Sequence, residues 1–257
     1  MTINMNTTLF EKITKFPPSW ACETIKHWDE IFPREHFDLQ NFVTHEVFES
    51  RTNVDMRQLV GQWDHFAGQT WLEAIVAPRC KPSSMTDVLR LYEMNPSYYF
   101  NGEVDGGIYL SSMNGGPWYS DFGGNHRAVV AKFACEQMLR ENGFYPMVEG
   151  VEKHFYYANL EAFALFKQLS ALHDKGIHVY VERKQVGVCL EGKRERIDYH
   201  VTFFIADHRF GRRMRSQRLE INEFLTFARH VISKNAIISK MDRVRDFLRS
   251  DAEGLIY

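Results

Sequence analysis

The residues best suited to chemistry are consecutive: Ser120-Asp121-Phe122-Gly123-Gly124-Asn125-His126-Arg127. Paired glycines let a backbone turn tightly and come close to a ligand. Arg127 carries a rigid fork of donors that suits phosphate. His126 donates or accepts near neutral pH, and Asn125 supplies both a donor and an acceptor. The following run, Ala128 to Arg140, reads as a helix. A helix starting at the glycines aims its first free N–H groups at the same spot. The expectation is an anion-binding turn. Asp121 lies beside it, placed by sequence to orient His126 or Arg127 or to bind a metal.

Phosphoryl transfer also needs charge neutralisation in the transition state and a base or metal near the attacking oxygen. Glu103 and Asp105 either fall on one side of a strand, a spacing that would set two oxygens around Mg²⁺, or are loop residues facing water. Glu93 is a further carboxylate, just before Asn95-Pro96. A second feature lies downstream. Arg209, Arg212, Arg213, Arg215 and Arg218 put five arginines in ten residues, beside Phe210. Such a cluster suits a phosphate backbone. Tyr98, Tyr99, Trp118 and Tyr119 flank the glycine turn, either to stack on a base or to wall a small sheet.

These residues need elements to hold them. Ser19 is a plausible cap for a helix over 20–28, and Asn53 or Asp55 for another through Val60. Helices are expected over 69–76 and from Ser84 toward Leu91. Tyr98-Tyr99-Phe100, Ile108-Tyr109-Leu110 and Trp118-Tyr119-Ser120 read as short strands separated by glycine turns. The glycine motif thus comes after a strand and opens a helix, which Asn142-Gly143 closes. Phe144 to Val148 reads as an edge strand and Ala158 to His173 as a helix with an apolar stripe. Ile177–Val181, Val186–Leu190 and Tyr199–Ile205 suit an antiparallel meander. One or two helices are expected over 219–248.

The run Phe122 to Arg127, with Ala128 and Ala131 after it, resembles the signature of the ParB/sulfiredoxin superfamily. Its members include partition proteins, sulfiredoxins, ParB-like nucleases and a free-serine kinase. Asn95-Pro96 is similar to the Asn-Pro element that precedes the loop in ParB-like domains. The resemblance covers about residues 90–140 of the chain. In that superfamily the loop and helix start hold the phosphates of a nucleotide. The resemblance implies the same role for Gly123, Gly124, His126 and Arg127, with a nucleoside triphosphate or diphosphate as ligand. Sulfiredoxin-like members carry a cysteine where this chain has Asn125. That thiol is the nucleophile of sulfinic acid repair, and an amide cannot replace it. Partition-type members usually have a more basic loop and then a helical DNA-reading domain, where this chain has a meander.

Composition sets limits. The chain has 257 residues, 44% of them hydrophobic, which is enough for a real core. A net charge of -2 confines any nucleic-acid surface to a local patch. Four widely spaced cysteines read as free thiols in a reducing cytoplasm. No secretory signal and no eighteen-residue apolar run is found, so a cytoplasmic protein without a membrane span is expected.

The expected fold is α+β. A helical segment at 1–39 precedes a small mixed-sheet, ParB/sulfiredoxin-like core at 40–145. A C-terminal helical and antiparallel region at 146–257 carries the basic cluster. The expected function is nucleotide- or nucleic-acid-directed phosphoryl transfer, with a nuclease preferred over a small-molecule kinase. His126, Asp121 and Glu103 are the expected catalytic residues. Gly123, Gly124, Asn125 and Arg127 are expected to bind phosphate, Asp105 to bind Mg²⁺, and the five arginines to bind nucleic acid. The alternative is a non-catalytic, nucleotide-switched DNA-binding regulator or partition factor.

Overall fold

The computed structural model describes residues 8–33, 39–102, 107–121, 123–208 and 215–234. In chain order the helices are α1 (Leu9–Lys15), α2 (Trp71–Val76), α3 (Pro82–Met94), α4 (Asn125–Asn142), α5 (Leu160–Ser170) and α6 (221–234). The strands are β1 (Lys26–His27), β2 (Val43–Val54), β3 (Leu59–Gln62), β4 (Tyr109–Met113), β5 (Trp118–Ser120), β6 (Val148–Ala158), β7 (Ile177–Glu191), β8 (Arg194–Asp207) and β9 (Arg215–Glu220). This is a mixed α+β fold. Among the described residues no helix is long and apolar enough to cross a membrane.

The chain forms two compact units whose segments alternate along the sequence. The first comprises Met1–His36, His45–Ala158 and Val186–Asp198; the second comprises Phe37–Thr44, Asn159–Gln185 and Tyr199–Tyr257. The consecutive segments expected at 1–39, 40–145 and 146–257 do not match this division.

In the first unit the strands run in the order β1-β3-β5-β4-β6-β2. β3 and β5 are parallel, with Gln62 opposite Ser120. β5 and β4 are antiparallel, β4 and β6 parallel. The parallel pair puts the carboxyl ends of β3 and β5 side by side. Loop 63–70 and residues 121, 123 and 124 therefore leave the sheet at one edge.

Helix α4 rises from that edge. Ala128 through Cys135 are buried without a break, so this stretch has no amphipathic period. The reason is packing on several sides. Helices α1, α2 and α3 contact it, and Lys132 Nζ donates to the carbonyls of Met56 and Leu59, both at 2.9 Å. Trp28 is fully buried and stacks on Trp63 and Phe32, with ring centres 5.4 and 5.5 Å apart.

The second unit has its own aromatic core. Phe42 meets Phe163 and Phe166 of α5 and also Phe203, whose ring stacks on Phe224 of α6 at 3.8 Å. Asn159 caps α5 by accepting from the Ala162 N–H.

Several local expectations are corrected. The helix expected from Asn53 or Asp55 to Val60 is the end of β2, a single 3-10 turn at Met56–Gln58, and β3. Asp55 does cap, but only that turn. The helix expected over 20–28 is a 3-10 turn, Ser19–Cys22, and then β1. Tyr98-Tyr99-Phe100 is a turn rather than a strand. Of the edge strand expected from Phe144 to Val148, residues 144–147 lie outside any strand; β6 begins only at Val148 and runs between β4 and β2 rather than at an edge. The chain that opens the helical run expected from Leu219 belongs to β9 through Glu220. Residues 235–248 of that run lie outside the described residues.

Candidate phosphate site at the start of α4

Gly124 is the N-cap of α4, with φ 72°. That left-handed backbone favours glycine. A Cβ on Gly124 would stand 2.3 Å from the Gly107 carbonyl oxygen, and one on Gly123 would stand 2.5 Å from the Tyr109 ring. The glycines therefore let the turn lie against the start of β4, a role additional to approaching a ligand.

Asn125 is buried. Its side-chain oxygen accepts from Ser120 Oγ at 2.6 Å, and its carbonyl accepts from Gln62 Nε2 at 3.3 Å. Gln62 in turn accepts from the Phe66 N–H. The amide expected to touch phosphate is thus a strut tying the helix start to β5 and, through Gln62, to loop 63–70.

His126 is almost as deeply placed. Its Nε2 lies 3.1 Å from the Cys80 carbonyl oxygen. A carbonyl only accepts, so Nε2 carries the proton and donates. The ring edge meets Phe66 and His65 at centroid distances of 4.9 and 5.7 Å. His126 so fixes the chain that leads into α3.

Helix α3 starts in the same place. Its N-cap is Lys81, at φ 44°, with Pro82 at the first helical position. Neither α3 nor α4 has a side-chain cap. A cavity of about 380 Å³ opens between them, lined by His65, Lys81, Ser84 and Asp87 and by Gly124 to Arg127. The positive ends of two peptide dipoles, a lysine and an arginine meet there against one lining carboxylate, an arrangement that favours an anion. Sequence reading missed Lys81, Ser84, Asp87 and His65. The available signal was Lys81-Pro82, since proline at the first turn marks a helix start.

Both histidines are held below the ordinary histidine value. Burial is the main cause for each; the Lys81 charge adds to it at His65, and the Cys80 carbonyl opposes it at His126. An anion in the cavity reverses the shift by stabilising the imidazolium forms. Anion affinity is therefore expected to rise as pH falls through the lifted, anion-bound values, and to level off below the depressed free values. Calorimetric titration with sulfate, whose own charge is constant over this range, checks it. A pH-independent affinity would overturn the placement of both rings.

No family model, no curated protein and no solved structure matches this chain.

Asp121 points elsewhere. Its Oδ2 accepts from Ser111 Oγ at 2.8 Å, and its N–H donates to the Tyr109 carbonyl. It lines a separate cavity of about 470 Å³ with Tyr109, Glu152, His154 and Arg194. The structure thus brings His126, Arg127, Gly124 and Asn125 together and puts Asp121 in another cavity. Tyr109 links the two regions, because its ring lies under Gly123 and also lines the Asp121 cavity.

The remaining expected residues fall into separate groups. Glu103 and Asp105 lie outside the described residues, as do Arg209, Arg212 and Arg213. Arg215 is placed only as backbone in β9, where it pairs with Asp207. Arg218 is exposed on β9 opposite Phe204. No cluster of three metal-ligating side chains occurs among the described residues. Tyr98, Tyr99, Trp118 and Tyr119 are all buried and wall the core. The four cysteines are free thiols, and Cys135 is a core residue whose thiol burial pushes up to about 12.

Proposed function

We propose that the joint start of α3 and α4 holds the phosphates of a nucleotide, and that the chain transfers a phosphoryl group from it. The observation that carries this reading is the convergence of two uncapped helix starts with Lys81 and Arg127 around one polar cavity. The resemblance of Phe122 to Arg127 to the ParB/sulfiredoxin signature supports the same ligand. In this reading the N–H groups of α4 and the Arg127 fork bind phosphate oxygens, and Lys81 neutralises charge that develops on them. His126 positions Lys81 through the Cys80 carbonyl and is not itself the base. Asp87 and Ser84 are the oxygen donors of the cavity wall. Mg²⁺ enters as the counter-ion of the nucleotide.

Nuclease activity is the polymer-directed form of this proposal. Exposed Arg218 favours it. The basic residues at the start of β8 contribute less, since Arg196 is paired with Asp198 at 2.8 Å and Arg194 lies 3.8 Å from Glu49. A nucleotide donor is therefore placed first. A nucleotide-switched regulator without turnover is separated from both by measuring product release.

The test is calorimetric titration with ATP, ADP, CTP and GTP, each with Mg²⁺. Charge-assisted hydrogen bonds contribute about 1.5–3 kcal/mol each. Arg127→Ala and Lys81→Ala are each expected to weaken binding by about tenfold or more. Unchanged affinity in a folded variant would remove that residue from the site, and no binding of any nucleotide by the wild type would sink the proposal.

A further inference from the structure

Strand β7 is fifteen residues long and ends the strand order beyond β8. Among the described residues its outer edge has no neighbouring strand. Its last part exposes a row of apolar side chains: Val186 at 62%, Val188 at 51% and Leu190 at 72%. Long, unprotected edges of this kind pair with other strands, and natural proteins block them with proline, bulges or charge. β7 has no proline, and its charges are Glu182, Arg183 and Lys184 in the middle and Glu191 at the end, with none between them.

A two-residue turn, Gly192-Lys193, joins β7 to β8, and Gly192 has φ 62°. In such a hairpin the flanking residues, Glu191 and Arg194, form the closing hydrogen-bonded pair. Alternate residues back from Leu190, namely Val188 and Val186, then turn their backbone groups to the free edge. The apolar row and the outward-facing backbone groups belong to the same residues.

We infer that β7 pairs antiparallel with β7 of a second copy of this chain, about a two-fold axis at Gly187. This register sets Val186 opposite Val188 and Val188 opposite Val186. It sets Glu191 opposite Arg183 at both ends, and lays the Lys184 stem beside Leu190. Every charged pair within the strands is attractive. Sliding the copies by one step of the pleat in one direction carries Arg183 past the strand end to the turn and leaves Glu191 opposite Gln185, so both end ion pairs are lost. The opposite slide puts Leu190 opposite Glu182 and Val188 opposite Lys184. Charge and hydrophobicity thus select one register, as cross-strand pairing requires. Arg183 stacks on Tyr199 at 4.0 Å, and the five donors of a guanidinium serve more than one acceptor. A Cβ on Gly187 would meet nothing within 4 Å, so the position on the axis is open to substitution.

Sedimentation equilibrium of the full chain, up to its solubility limit, tests the inference. The wild type is expected to be a dimer. Arg183→Glu sets two acidic residues against each other at both ends and is expected to give a monomer; Glu191→Arg, at an exposed position, is expected to do the same. The double exchange, Arg183→Glu with Glu191→Arg, restores the dimer. Circular dichroism of each variant shows that the fold persists. Gly187→Cys in a Cys22→Ser, Cys189→Ser background is expected to cross-link the two copies on oxidation. A wild type that stays monomeric, or a dimer indifferent to both charge reversals, would overturn the assignment.

Discussion

Gly124→Ala is expected to abolish phosphate binding and to destabilise the fold by about 3 kcal/mol or more. Two costs act together. The residue sits at φ 72°, where a side chain costs about 1–2 kcal/mol. The new Cβ would also stand 2.3 Å from the Gly107 oxygen and 3.1 Å from the Ile108 Cα. Both are backbone atoms leading into β4, so no rotamer change relieves the contact. The turn must move off the sheet. The Asn125 strut to Ser120 and the convergence of the two helix starts depend on its position, and a shift of about 1 Å is enough to cost a site about a hundredfold. Gly143→Ala is the matched control. Gly143 caps the other end of α4 at φ 74°, and nothing lies within 4 Å of its added Cβ. It is expected to lose only the backbone cost of about 1–2 kcal/mol and to bind normally. Denaturant unfolding and calorimetry of the two variants decide the matter. Equal losses, or retained binding in Gly124→Ala, would show that the close approach to Gly107 does not shape the site.

The visibility of this site in the sequence depends on how local each signal is. The turn before α4 is legible because paired glycines and a helical run are neighbours in the chain. Loop 63–70 and the start of α3 are not, because they reach the site only through the parallel pairing of β3 with β5. His65 and Lys81 therefore carry no sequence mark of their own beyond the proline after Lys81. The roles within the motif are also partly hidden. Asn125 and His126 look like ligand groups by type, yet one is spent on Ser120 and the other on the Cys80 carbonyl. Asp121 is close to Asn125 in the chain but faces another cavity, since the sharp turn at the glycines sends the end of β5 and the start of α4 to different sides.

The strands show the same division. The alternation in Ile177–Val181 and in Tyr199–Ile205 marks parts of β7 and β8, but Val186–Leu190, expected as a separate strand, is the far end of β7. β6 is disguised, because its residues Glu149, Glu152, Lys153 and His154 are polar in a strand flanked on both sides. The structure accounts for two of them. His154 pairs with buried Glu46 at 3.0 Å and stacks on Phe48. Lys153 donates to the Asn53 carbonyl. Pairing of polar groups across strands makes a central strand look like a linker when its partners are far away in the chain.

Lys132→Met is expected to flatten the rise in stability that the wild type gains from this residue as pH increases. Lys132 is buried in the middle of α4, with Nζ 4.8 and 5.1 Å from the ring centres of Trp20 and Trp71. Burial pushes it from 10.5 down to about 8, against the opposing pull of Glu23, Asp55, Cys135 and Glu136. Below that value both the folded and the unfolded chain carry the charge, and the folded state bears its full desolvation cost. Between about 8 and 10.5 the unfolded chain holds the proton and the folded chain releases it. The unfolded state then binds more protons, so stability rises with pH across this window. The total rise is about 3 kcal/mol. Buried acids oppose it: Tyr92 and Cys135 are pushed up to about 12, and Tyr99 and Tyr145 higher still. These ionise in the unfolded chain first and lower stability at alkaline pH in both proteins. The difference between wild type and Lys132→Met cancels that background. Methionine keeps most of the apolar stem but leaves the Met56 and Leu59 carbonyls without this donor, a loss that does not depend on pH in this window. Urea unfolding at stepped pH should therefore give two curves offset from each other, with the wild type gaining on the variant only above about 8. Parallel curves would mean that Lys132 keeps an ordinary proton affinity. The charge would then be supported by the two carbonyls and two indole faces, and α4 would carry a permanent cation at its centre.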